Sequence, residues 1–143
     1  MKGSPRRERF RDLPPPAVYL QEYIYWPWGD LTRALVEDVC ARAPQNGNVV
    51  EYMCGFGFLL SEIGKRRGDL RLSGCSLDED WIAFGRRRYP ALDIVYADAR
   101  SFVPRERPHL AICAGGFHHL EFRDQAPFLE KAEPVNEFET PAS

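Results

Sequence analysis

The chain has 143 residues, 44% of them hydrophobic, 13% aromatic and 28% charged, with a net charge of −2 (Lys plus Arg 19, Asp plus Glu 21). That apolar supply excludes disorder for the bulk of the chain, and the length fits one domain around one core. No apolar run approaches the ~18–20 residues of a membrane span, the start lacks the apolar core of a secretory signal, and the near-neutral charge disfavours nonspecific nucleic-acid binding. A soluble, cytoplasmic, single-domain protein is the expectation.

In chain order, residues 1–16 are expected to be a flexible N-terminal segment, charged at first and ending in Pro14, Pro15 and Pro16, which predict an extended polyproline stretch rather than a helix. Tyr19, Tyr23, Tyr25, Trp26 and Trp28 follow, a stretch too aromatic to stand in water and so expected to fold over something. Asp30 is placed to cap a helix over 31–43, where Leu31, Leu35, Val36, Val39 and Cys40 recur at helical spacing. Residues 44–47 end it with turn chemistry.

Strand and helix signals then alternate. Strands are predicted over 49–53, 70–75, 92–96 and 110–114, with helices over 58–67, 77–89 and 122–132. Asp78, Glu79 and Asp80 suit the positive end of the 77–89 helix, Pro90 stops it, and Pro127 would sit in the first turn of the last one. Such alternation implies an α/β fold with an open parallel sheet and flanking helices. Residues 133–143 are expected to be a flexible tail. The four cysteines, Cys40, Cys54, Cys75 and Cys113, form no C-x-x-C pair, so buried or half-buried thiols are expected rather than a disulfide framework or a zinc site.

Four strand ends carry side chains able to do chemistry, and ligands of open parallel sheets gather at the carboxyl ends of strands. The first is Glu51-Tyr52-Met53-Cys54-Gly55-Phe56-Gly57. Its glycines permit close approach to the main chain, but the third glycine of the dinucleotide fingerprint and the phosphate loop are missing, which disfavours pyrophosphate. Glu51 either caps something local or accepts from an ammonium or hydroxyl group. Ser76 and Asp78 close the second strand, where a ribose could be held, and Asp98 closes the third, where it suits an amino group on a purine. Each of these also fits a helix cap. The fourth strand runs into Ala114-Gly115-Gly116-Phe117-His118-His119. The paired histidines read either as a surface turn or as proton acceptors, and their divergent side chains, with no third ligand placed by spacing, argue against a metal site.

Over roughly residues 17–132 the order and spacing of these four motifs resemble the class I S-adenosylmethionine-dependent methyltransferases. The resemblance implies a Rossmann-like sheet of about four strands in the order 3-2-1-4, lacking the family's C-terminal half, in a domain spanning 17–132. It implies S-adenosylmethionine as cofactor, with Glu51, Cys54, Gly55 and Gly57 at its methionine part, Ser76, Leu77 and Asp78 at the ribose, and Asp98 and Ala99 at the adenine. Ala114 and Gly115 would line the fourth tip, Tyr23 and its aromatic neighbours would cover the cofactor, and His118 or His119 would take a proton from a small-molecule acceptor.

Three residues depart from the family pattern: Met53 replaces a glycine, Ser76 replaces the ribose-binding acid, and His109 replaces an aspartate at the start of strand four. Only 23 residues follow Leu120, too few for the family's remaining strands. Strand four would then be an exposed edge, and three explanations compete: a truncated chain, which is favoured, self-association or a partner chain covering that edge, or a natural half-domain. The altered residues also leave room for a non-catalytic methyltransferase-like module.

Overall fold

The computed structural model describes residues 28–114 together with 15, 16, 18, 20, 123 and 127. Along the described chain run α1 (Trp28–Arg42), β1 (Asn48–Tyr52), α2 (Phe58–Arg66), β2 (Arg71–Ser76), α3 (Glu79–Arg88), β3 (Asp93–Tyr96) and β4 (Leu110–Ile112). The strands form one parallel sheet in the order β3-β2-β1-β4, as the resemblance implies. β1 (NVVEY) is central and buried along its whole length, its polar Asn48 and Glu51 included.

The pleat sends Val49 and Glu51 to one face and Val50 and Tyr52 to the other. On the first face Val49 joins Val36 and Val39 of α1, Leu59, Leu60 and Ile63 of α2, and Ile82 of α3. On the second, Val50, Tyr52 and Cys75 pack against Ala97, Ala99 and Phe102, so the β3–β4 connection covers the side opposite the helices. Tyr52 and Phe102 meet edge to face at 5.9 Å.

Polar contacts lock the end of the sheet remote from the strand carboxyl termini. The Asn48 amide donates to His109 Nδ1 (3.0 Å), the His109 amide donates to the Asn48 carbonyl (2.8 Å), and Asn48 Nδ2 donates to the Glu106 carbonyl (3.1 Å). His109, foreign to the family pattern, thus docks β4 against β1. Arg67 serves the end of α1: Nη1 donates to the carbonyls of Cys40 (2.7 Å) and Ala43 (3.0 Å), which the helix leaves without partners. Its fork also pairs with Asp69, and together with the Asn46 amide it holds that carboxyl well below the usual carboxylate range.

Several expectations need correction. Pro16, Val18 and Leu20 are helical, and the Val18 amide donates to the Pro15 carbonyl (2.9 Å), so the prolines start a helix instead of forbidding one. Proline fits the first turn because its missing N–H has no helical partner there anyway. α1 begins at Trp28, which puts Asp30 inside the first turn, paired with Arg33, rather than at the cap. Leu31 is 49% exposed and does not join the core. β1 stops at Tyr52 because Met53 turns left-handed (φ 58°), and β4 ends at Ile112. All four cysteines are free thiols, Cys54 and Cys75 buried and the other two half-buried. No helix among the described residues is long and apolar enough to cross a membrane. The 133–143 tail lies outside the described residues, and of the 122–132 helix only Arg123 and Pro127 are described, both helical.

Candidate functional site

Because all four strands run parallel, their carboxyl ends share one rim. The register sets Glu51 beside Gly74 and Ile112, Tyr52 beside Cys75, and Ser76 beside Tyr96. Cys54, Gly55, Ser76, Leu77, Asp98, Ala99 and Ala114 therefore lie on or just beyond neighbouring strand ends. Tyr23, Gly115, His118 and His119 lie outside the described residues.

The first loop is a run of left-handed residues: Met53 (φ 58°), Gly55 (59°) and Gly57 (88°). Met53 stands where the family has glycine and keeps the glycine-like conformation, at a cost of about 1–2 kcal/mol for an L side chain. Packing from distant elements holds the loop. A Cβ on Gly55 would fall 2.9 Å from the Trp81 ring, and one on Gly57 would fall 2.8 Å from Leu92. The Phe56 ring lies 5.3 Å from that of Trp81 and 5.2 Å from that of Phe84, and its carbonyl rests directly over Gly85. The Cys54 amide ties the loop to β2 through the Cys75 carbonyl (2.9 Å).

Glu51 sits just before this loop. Its side chain is 5% exposed, and Oε1 has no hydrogen-bond partner among the described residues. An unmet buried carboxyl costs about 1–3 kcal/mol, more when ionised. Burial accordingly pushes its pKa well above the ordinary value. The same burial raises the Cys54 thiol, helped by Glu51 and then Cys75. The local cap expected as one reading of Glu51 is absent among the described residues, because the preceding strand and the loop already pair through their main chain.

The other tips look different. The Ser76 hydroxyl is buried and accepts from the Asp78 amide (3.3 Å), while Asp78 caps α3 by accepting from the Trp81 amide (3.0 Å). Between its two expected roles, Asp78 has taken the cap. Asp98 accepts from the Arg100 amide (3.0 Å) and from the Arg100 guanidinium (2.7 Å to Nη2), with Asp98 and Arg100 side chains 17% and 32% exposed. Sequence reading missed two residues that shape this rim. Arg100 engages the predicted acceptor, and an Asp-x-Arg in a strand-end loop was the signal for it. Trp81 roofs the first loop, and Trp81, Phe84 and Gly85 at i, i+3 and i+4 mark one helix face turned toward it.

The residues of the first loop fit an aminoacyl nucleoside cofactor at one point: a buried acid whose Oε1 has no partner among the described residues can receive an ammonium. Ser76 offers a neutral hydroxyl in place of an acid, and Asp98 is already ion-paired. The fit is thus strongest at β1 and weaker at β2 and β3.

No family model matches the chain, and no curated protein matches it. Solved structures do. CalS10 from Micromonospora echinaspora, an amino pentose methyltransferase solved with S-adenosylmethionine bound, superposes with a TM-score of 0.67 at 19% identity over 80% of this chain and 50% of that one. DesVI from Streptomyces venezuelae gives 0.63 at 23% identity over 86% and 55%, and a TehB-like S-adenosylmethionine-dependent methyltransferase from Corynebacterium glutamicum gives 0.63 at 21% over 82% and 66%. The chain spans about half to two thirds of the length of these neighbours. At these identities the likeness speaks for the fold. With its parallel order β3-β2-β1-β4 and its glycine turn after the central strand, this chain has the Rossmann-like fold of the class I S-adenosylmethionine-dependent methyltransferases.

Proposed function

We propose that the chain binds S-adenosylmethionine along this rim and forms the cofactor-holding part of a methyltransferase acting on a small-molecule acceptor. The observation that carries the reading is Glu51 Oε1, buried beneath a glycine turn and without a partner among the described residues. The neighbours support it: besides CalS10, a coclaurine N-methyltransferase solved with N-methylheliamine and S-adenosylhomocysteine shares the fold at a TM-score of 0.58.

In this reading Glu51 accepts from the cofactor's ammonium, and Cys54, Gly55 and Gly57 form the turn beside its methionine part. Ser76 and Leu77 meet the ribose, Asp98 and Ala99 the adenine, and Ala114 and Gly115 close the far side, with Tyr23 over the top. The bound cofactor supplies an electrophilic methyl on a positively charged sulfur. The chain's task is alignment and water exclusion, since a good leaving group is already present. His118 or His119 takes the proton from a hydroxyl or amine acceptor.

A second reading, a binding module without transfer activity, is favoured by the engaged Asp98 and by the neutral Ser76. Calorimetric titration with S-adenosylmethionine, followed by transfer of a radiolabelled methyl to a panel of amine and hydroxyl acceptors, separates the two. Binding with transfer is expected. Binding without transfer favours the module, and absence of binding overturns both.

A further inference from the structure

Glu51 is the most deeply buried acid among the described residues, and none of these is placed beside it to neutralise it. On its face of the sheet its register neighbours are Gly74 and Ile112, neither of which can ionise. Of the helices that cover this face, α1 and α3 turn all their charged residues to solvent, and α2 does the same with Lys65 and Arg66. Glu62 of α2 is half-buried and paired with Lys65 (2.8 Å). The remaining ionisable neighbour among the described residues is the Cys54 thiol on the loop, buried and pushed by burial toward the neutral form in which it carries no charge.

We propose that Glu51 is a specificity-determining residue that exchanges a proton for the cofactor's ammonium: the free protein holds it as a neutral carboxylic acid, and arrival of the cation releases that proton to solvent and leaves a carboxylate–ammonium pair. This rests on the rim being the cofactor site. The balance is one O–H bond broken, one proton passed to buffer, and one charge-assisted hydrogen bond formed, with no redox partner needed. Two properties follow. Ligands lacking a positive group at that position gain nothing from Glu51, so the site discriminates by charge. Affinity for ligands that have one rises with pH, up to tenfold per unit, while Glu51 remains protonated in the free protein.

The test is a proton inventory by calorimetry on the full chain at pH 6.5, in buffers of different ionisation enthalpy. The probe is S-adenosylhomocysteine, which carries the ammonium but not the sulfonium, so the proton count reports on the amino group alone. The expected result is net proton release with S-adenosylhomocysteine, no release with 5′-methylthioadenosine, which lacks the aminoacyl end, and no release with Glu51→Gln, whose affinity loses its rise with pH. Binding of S-adenosylhomocysteine without proton release overturns the exchange but leaves the cofactor site standing. An equal release from Glu51→Gln also overturns it. No binding of either nucleoside at any pH overturns the site itself. The comparison of the two nucleosides on the unaltered chain decides the matter even if Glu51→Gln fails to fold.

Discussion

The first and third strand-end loops lie on the same rim but are held in opposite ways. The loop after β1 is shaped from a distance: Trp81, Phe84 and Gly85 of α3 and Leu92 before β3 press on Gly55, Phe56 and Gly57. It leaves a buried polar atom, Glu51 Oε1, unmet among the described residues. The loop after β3 closes on itself. Asp98 receives the amides of Arg100, Ser101 and Phe102 and the Arg100 guanidinium within four residues of chain. A site built by remote packing can hold a need that only a ligand meets, because the atoms that shape it are not the atoms that would satisfy it. A site built by local hydrogen bonds satisfies its own groups first.

The comparison can be broken or sharpened by substitution. The largest effect is expected from Gly85→Ala, whose new methyl would collide with the Phe56 carbonyl. Overpacking of this kind should lower the unfolding free energy by about 3 kcal/mol in urea titration, and an unchanged midpoint would mean that α3 does not hold the first loop. Next comes ligand affinity. Glu51→Gln should weaken S-adenosylhomocysteine by about 2 kcal/mol, the worth of a hydrogen bond to a charged group. Asp98→Asn should weaken it less, because Asp98 must share itself with Arg100; calorimetry giving the reverse order would remove the contrast between the loops.

A third effect appears without ligand. Burial raises the folded-state pKa of Glu51 above its usual 4.5, so above that pH the folded protein binds more protons than the unfolded chain. Stability therefore falls as pH rises from about 4.5 toward the raised value, by up to about 1.4 kcal/mol per unit, and then levels. Denaturation of Glu51→Gln across the same range should show that fall removed. The smallest effect belongs to Arg100→Ala. The pair it breaks with Asp98 is partly exposed, and its loss should cost less than about 1 kcal/mol of stability. A larger cost would show the third loop to be more than a local closure.

What could be read from the sequence divides along the same line. The four strands, the helices between them and their parallel arrangement follow from local periodicity and punctuation, and each strand falls within two residues of its predicted ends. Turn chemistry at 44–47 was legible too, with Asn46 left-handed and the Gly47 amide on the Pro44 carbonyl. Choices among competing partners were not legible. Asp78, Asp98 and Glu51 are acids near strand ends, yet one caps a helix, one closes a loop with an arginine and one is left alone. Nothing in their immediate neighbours in sequence distinguishes them, because each outcome depends on the burial and spacing of elements far along the chain. Asp30 fails for a related reason: Trp28 and Gly29 extend the helix one half-turn past an acid that would otherwise have capped it.

The central position of β1 has a kinetic consequence. Its contacts on the β2 side close over a short span, as between Asn46 and Asp69, 23 residues apart. On the other side Asn48 must find His109, 61 residues on. Non-local parallel pairing makes the second closure the slower one. During synthesis the strand carrying Glu51 is therefore zipped to β2 first and waits, one flank bare, until the segment around His109 has left the ribosome.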